Sequence, residues 1–212
     1  MLLHTLYKKN KLSTGLLLSL LLTACSSSVT TVSSLLGARI KYDYAQNFKA
    51  MQKYNFNPAP DTIKNNPDYR FIQSVGATLA IENTMAAKKI RKERHILPDF
   101  WVNYYFVGDK GINIGQLNEL YSYNLGLVWD DKYGNGEGIA NTSHKFSAGT
   151  FIIDLVSPEG NRLIWRGSVP TSIERDKSED KNRQLINKAV EVILDSFPPE
   201  NFFKSLKDAV PE

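Results

Sequence analysis

The sequence predicts an α+β fold: a two-layer sandwich in which a mainly antiparallel sheet of about five strands carries two helices on one face. Three observations predict this class. Several segments alternate apolar and polar side chains, as strands do. Two others repeat apolar side chains every three or four residues, as helices do. The order along the chain is strand, helix, three or four strands, helix, and there is no internal repeat.

The first predicted elements are a strand and a long helix. Residues 39–44 alternate apolar and charged side chains, which indicates the first strand. Asn66 suits a helix N-cap and Pro67 the first helical position, so a helix is expected to begin there. The basic run at 88–94 is interpreted as the exposed end of that helix, where cations complement the helix dipole. A phosphate-binding patch is the alternative.

The middle of the chain predicts two more strands. Residues 100–107 are almost continuously apolar and aromatic, which suits a central strand covered on at least one face. Residues 121–129 alternate and are also predicted as a strand. The Gly- and Asp-rich residues 130–138 are predicted as a loop.

A hairpin is the strongest local prediction. Residues 149–156 and 162–169 are two apolar runs joined by a turn that contains Pro and Gly. A register centred on Gly160 places Leu155 opposite Trp165 and Phe151 opposite Val169 on the buried side. The same register places Asp154 opposite Arg166 on the other face. These two residues are a possible surface recognition site, and an ordinary cross-strand ion pair is the alternative.

The last predicted element is a helix. Asp176 suits its N-cap, with Glu179 placed to complete a capping box. An apolar stripe then runs from Leu185 to Phe197, before two prolines end the helix.

The N-terminal 24 residues have the layout of a signal peptide. Lys8, Lys9 and Lys11 precede an apolar run at 15–22, which is shorter than the roughly 20 residues a membrane span needs. The tetrapeptide ending in Ala24-Cys25 resembles a bacterial lipobox. That resemblance implies cleavage between Ala24 and Cys25 and acylation of Cys25. An ordinary secreted protein cleaved near Ala24 is the alternative.

The lipobox sets the expected domain boundaries and location. We expect a lipidated Cys and flexible Ser/Thr linker at 25–37, a single α+β domain at 38–200 and a C-terminal tail at 201–212. In lipoproteins that this chain resembles, Ser rather than Asp after the Cys, here Ser26, goes with sorting to the outer membrane. The expected location is therefore the periplasmic face of the outer membrane.

Composition argues against several classes of function. The chain has 26 Lys and Arg against 22 Asp and Glu, but three of the cations lie in the leader. The near-neutral remainder predicts no nucleic-acid binding. No phosphate loop or nucleophile elbow is present, and His95 and His144 lack partners at metal-ligand spacing. We therefore expect no catalysis, no cofactor and no metal, and the acidic residues at 130–137 miss the spacing of a calcium loop.

Five segments together resemble a known family. The GTFIIDLV strand at 149–156 followed by LxWRG at 163–167 carries most of the resemblance, and the remaining segments lie at 42–54, 98–104 and 197–199. Together they are similar to the bacterial lipoprotein family known as domain of unknown function 4136, over residues 38–200. The family's usual Gly- and Trp-rich middle is replaced here by residues 130–141. The resemblance implies an envelope lipoprotein with no established reaction.

Two functional hypotheses follow, and a third, a hydrolase acting on envelope polymers, would need paired carboxylates or a His in a cleft, which the sequence does not locate. The first is a non-enzymatic, lipid-anchored periplasmic domain that is held to the membrane at Cys25 and binds another envelope component, with an envelope protein as the expected partner. The second is a carrier or auxiliary module that holds a small apolar ligand or lipid, which a deep aromatic-lined pocket would favour.

Overall fold

The computed structural model describes residues 37–43, 46–124 and 145–198. The strands are β1 (Arg39–Tyr42), β2 (Lys53–Phe56), β3 (Arg91–Lys92), β4 (Phe100–Phe106), β5 (Ile112–Asn113), β6 (Lys145–Phe146), β7 (Thr150–Ser157) and β8 (Arg162–Pro170). The helices are α1 (Asp61–Lys64), α2 (Pro67–Ser74), α3 (Ala77–Ala87), α4 (Ile114–Leu120) and α5 (Glu179–Asp195). The predicted leader at 1–24, Cys25 with the linker as far as residue 36, and residues 199–212, which include the predicted tail at 201–212, lie outside the described residues.

Six of these strands form one sheet in the order β1-β8-β7-β4-β2-β3. The pairs β1–β8, β8–β7 and β7–β4 are antiparallel, and β2 runs parallel to both β4 and β3. A separate two-stranded sheet pairs β5 with β6. The α+β class and the mainly antiparallel main sheet are confirmed, but that sheet has six strands where about five were predicted.

The β7–β8 hairpin has the predicted register. Leu155 pairs with Trp165, Phe151 with Val169 and Asp154 with Arg166. Gly160 takes a positive φ of 67° in the turn, a conformation that glycine adopts without a steric penalty. An irregularity between Leu155 and Val156 then shifts the register by one residue, so that Val156 at the end of the predicted strand pairs with Leu163.

Aromatic side chains and α5 build the core on one face of the sheet. The ring of Phe197 lies 5.7 Å from that of Trp165 and 5.6 Å from that of Phe100, measured between centroids. Gly167 allows a close approach of α5, because a Cβ at that position would overlap Ile193. The α3 helix packs against α5 on this side.

A helix also covers the opposite face, which corrects the prediction that the helices lie on one face. Successive strand residues point to opposite faces, and Gly167 faces α5. Arg166 therefore points the other way, where its guanidinium donates to the Asn118 side chain of α4. Helix α4 was not among the predicted elements, although Asn113 and Gln116 form a capping box at its start.

The predicted long helix is broken, and its basic end is not helical. Gly76 has a φ of 95° and separates α2 from α3, so the apolar spacing continues across two helices. Lys89 has a φ of 63°, and α3 ends at Ala87. Ile90 is then buried, and the amide of Arg91 donates to the carbonyl of Gln52. Part of the basic run therefore forms edge strand β3.

Two further element predictions need correction. The N-cap of α5 is Ser178 rather than Asp176, and its hydroxyl accepts from the amide of Lys181. Residues 121–124, predicted as the start of a strand, form a turn after α4 and a single parallel bridge between Asn124 and Arg162. Residues 125–129 lie outside the described part of the chain.

Candidate functional site

The predicted Asp154–Arg166 pair exists, but it is buried. Nε of Arg166 lies 2.6 Å from Oδ1 of Asp154, and Nη2 lies 2.7 Å from Oδ2, so the pair is bidentate. Asp154 is 2% exposed and Arg166 is 4% exposed. The expectation of a charged spot on an exposed sheet face is therefore wrong, because α4 and the residues after it cover this face.

Polar and aromatic groups surround the pair. Arg166 also donates through Nη2 to Oδ1 of Asn118 at 3.1 Å. The rings of Tyr123 and Phe146 each lie 6.0 Å from its Cζ, within the range of a cation–π contact. Asn103 donates to the Tyr123 hydroxyl at 2.8 Å, so the cluster joins strands β4, β7 and β8 to the segment after α4.

The electrostatics of Arg166 are consistent with a structural pair. Burial acts to lower the pKa of Arg166, but the charge of Asp154 and its hydrogen bonds more than offset this, so the pKa is raised. Burial, followed by the nearby Asp154 charge, raises the pKa of Tyr123 well above its ordinary value. Because the charged groups are inaccessible, the pair fastens α4 to the sheet and offers no surface for recognition.

A small cavity lies beside β4, where β2 stops. Pro58 and Pro60 follow β2 closely, and proline cannot continue a strand ladder. Tyr69, Tyr104 and Tyr121 close around the gap, leaving a cavity of about 170 Å³. Drug-sized ligands occupy pockets of about 300 to 1,000 Å³, whereas a cavity of about 150 Å³ holds benzene. The cavity has the volume for a single ring and is small for a lipid.

An exposed loop at residues 94–97 is an unusual feature of the surface that the described residues form. Ile96 is 59% exposed and Leu97 is 69% exposed, and both are large apolar side chains. Arg94 and His95, the other two residues of this exposed loop, are exposed as well. Single exposed apolar residues are ordinary, but two adjacent ones at the tip of a loop require an explanation.

Hydrogen bonds hold both ends of the exposed loop. The Glu93 amide donates to the carbonyl of Tyr54 in β2 at 2.7 Å, and the Glu93 carboxylate accepts from the amides of Arg94 at 2.8 Å and His95 at 2.9 Å. The His95 and Arg94 amide bonds lower the pKa of Glu93. At the other end, Asp99 accepts from the amides of Gln52 at 2.8 Å and Lys53 at 2.9 Å. The loop is thus attached at both ends while its apolar side chains remain in solvent.

The basic run at 88–94 was predicted to end a helix, and Ile96 and Leu97 were not among the residues predicted to form a site. The available signal was an Ile-Leu pair between Arg94-His95 and Pro98, without the periodicity of a helix or strand. His144 and the acidic residues at 130–137 lie outside the described residues. Within the described ranges, His, Cys, Asp and Glu form no group of three or more that could hold a metal ion.

Every helix within residues 37–43, 46–124 and 145–198 is too short or too polar to cross a bilayer.

Residues 38–199 match the family described as domain of unknown function (DUF4136), which is well over half of the chain. The chain belongs to this family. No curated protein matches it.

Two solved structures match this chain over most of its length. A PDZ domain protein from Parabacteroides distasonis is 12% identical, with a TM-score of 0.43, and the match covers 81% of this chain and 40% of that one. The dodecameric PelC variant from Paraburkholderia phytofirmans is 14% identical, with a TM-score of 0.32, and the match covers 74% of this chain and 95% of that one. At these TM-scores neither structure supports an argument about function.

Proposed function

We propose that this protein is a lipid-anchored, non-catalytic domain of the cell envelope. In this proposal Cys25 carries the lipid, the domain stands on the periplasmic face of the outer membrane, and the exposed loop docks another envelope component. The observation that carries the proposal is the pair Ile96 and Leu97, exposed on a loop whose two ends are fixed.

The position of the exposed loop in the sheet supports a docking role. Arg39 pairs with Ser168 near the end of β8, so the chain enters the domain at one corner of the sheet. The loop precedes β4 and follows β3, which places it at the opposite end of the strands and near the opposite edge. Five strand spacings correspond to about 24 Å across the sheet. The tether therefore enters far from the loop and leaves it accessible.

The other features of the domain favour docking over the carrier hypothesis. The cavity beside β4 has a volume of about 170 Å³, which is small for a lipid. A second cavity beside α4 is larger, at about 970 Å³, but it is open to solvent and no aromatic side chain of the described residues lines it, so it is not the deep aromatic-lined pocket that the carrier hypothesis requires. The Asp154–Arg166 pair is enclosed by protein groups and cannot contact a ligand at the surface.

Photo-crosslinking in cells tests the docking role. A photoreactive amino acid at Leu97 in the full chain should form a defined adduct, identified by mass spectrometry of both proteins and lipids. The matched control is the same probe at Asn187, an exposed residue of α5. Adducts at residue 97 no more abundant than at residue 187 would refute the docking proposal.

The anchor is tested separately. Cys25 is the only Cys in the chain, so Cys25→Ser should abolish acylation and yield a soluble or unprocessed protein. Membrane fractionation and the mass of the N-terminal peptide measure both effects. Unchanged processing and membrane retention in this variant would disprove the lipid anchor.

A further inference from the structure

We infer that the exposed loop at residues 94–97 binds an anionic lipid surface, with Ile96 and Leu97 entering the headgroup region and the neighbouring cations contacting the headgroups. The inference deepens the proposed docking function by naming its partner, and it rests on that function.

Ile96 and Leu97 supply the apolar part of the inferred membrane contact. Both side chains point into solvent at the tip of a loop that is already hydrogen-bonded at Glu93 and Asp99. Little ordering is therefore required when the loop meets a surface. Apolar side chains that enter the boundary between headgroups and acyl chains contribute the hydrophobic part of interfacial binding.

The residues in and beside the loop supply the positive charge of the inferred membrane contact. Residues 88–99 contain five cations, Lys88, Lys89, Arg91, Lys92 and Arg94, against only two acids, Glu93 and Asp99. Both carboxylates accept hydrogen bonds from backbone amides at the base of the loop. Lys89, Arg91 and Arg94 are exposed, whereas Lys92 pairs with Glu82 and its side chain is 29% exposed. The excess positive charge complements anionic headgroups, which attract clustered Lys and Arg.

This combination favours a lipid over a protein partner. The centres of protein interfaces are enriched in aromatic residues and depleted in Lys, whereas this surface has two aliphatic side chains among Lys and Arg. Apolar residues next to a cationic face are typical of segments that lie on membranes. The stretch from Cys25 to Gly37 can extend to about 40 Å, so the membrane that would hold the lipid anchor is within reach of the loop.

A fluorescent probe beside the apolar pair tests the inference on the complete lipidated protein. His95→Cys introduces a thiol next to Ile96 without removing either apolar side chain, and acylated Cys25 offers no competing thiol. The protein is labelled with an environment-sensitive dye and reconstituted into vesicles of phosphatidylcholine alone or with about one third phosphatidylglycerol. The matched control carries the label at Asn187→Cys on α5.

With anionic vesicles we expect a blue-shifted emission at residue 95 and quenching by a lipid-borne quencher, both absent at residue 187. The signal should fall at least about threefold in phosphatidylcholine alone and as the salt concentration rises. Leu97→Asp should abolish it. Arg94→Glu should weaken it about tenfold, whereas Lys181→Glu, the same charge change at an exposed site on α5, should not.

The outcomes separate the two proposals. Emission at residue 95 that stays water-like in anionic vesicles would overturn the lipid inference, and a protein adduct at Leu97 in cells would then leave the docking function standing. Absence of acylation, seen in the protein mass, would refute the anchor alone. In that case sedimentation of the Cys25→Ser chain with the same vesicles tests the exposed loop by itself.

Discussion

Replacing Arg166 with Met should destabilise the domain strongly. The substitution leaves the Asp154 carboxylate 2% exposed and without the two guanidinium hydrogen bonds at 2.6 and 2.7 Å. Removing one partner of a buried pair costs about 3 to 5 kcal/mol, because the remaining charge is uncompensated. Domains are stable by only about 5 to 15 kcal/mol, so this loss is a large share of the free energy of unfolding.

Urea unfolding followed by tryptophan fluorescence measures the effect, since Trp165 is fully buried. With a slope of about 2 kcal/mol/M, the midpoint should fall by about 2 M. The control is Arg183→Met, which removes an exposed i,i+4 pair with Glu179 and should cost less than about 0.5 kcal/mol. Combining Arg166→Met with Asp154→Val should recover most of the loss. A single-variant loss no larger than that of the Arg183 control would refute the buried-pair argument.

Three more predictions concern stability. Stability should fall as the pH rises above about 10, because Tyr123 stays protonated in the fold, where burial raises its pKa, while the unfolded chain ionises. Tyr123→Phe should make the decline shallower by up to about 1.4 kcal/mol per pH unit in urea titrations, and an unchanged slope would contradict this. Gly167→Ala should cost about 1 to 3 kcal/mol, because its Cβ would overlap Ile193 and lie 2.5 Å from Cη2 of Trp165. Adding Ile193→Val should restore part of the melting temperature, and no recovery would place the strain elsewhere. Asp99→Ala should cost about 1 kcal/mol and speed proteolysis at the exposed loop, with Asp180→Ala on α5 as the control.

The hairpin shows why some of the fold could be predicted. Alternation over 149–156 and 162–169 excludes a register shifted by one residue, which would place core positions opposite solvent positions, and the observed pairs agree with the predicted register. The start of the first long helix was also predicted correctly, since Asn66 is its N-cap. The side chain of Asn66 accepts from two amides at the start of α2. What the spacing could not show was the interruption at Gly76, since a left-handed residue can leave the apolar positions on either side unchanged.

The candidate site was less predictable for a similar reason. Strand register alone identified Arg166 as the partner of Asp154, but the burial of the pair depends on α4. Asn118 of α4, which contacts Arg166, lies 48 residues before it in the sequence. Ile96 and Leu97 were overlooked because exposure is not a property of residue type. Only the contacts of neighbouring elements determine which apolar side chains the core leaves out.

The sequence by itself determined the α+β class, the hairpin register, the family and the pairing of Asp154 with Arg166, because all of these depend on local periodicity and residue order. The tertiary structure alone decided that α4 covers the second face, that the ion pair is buried and that Ile96 and Leu97 are exposed on a fixed loop. These features depend on packing between segments far apart in the chain, and the free energy of burying a side chain is set by its neighbours in space.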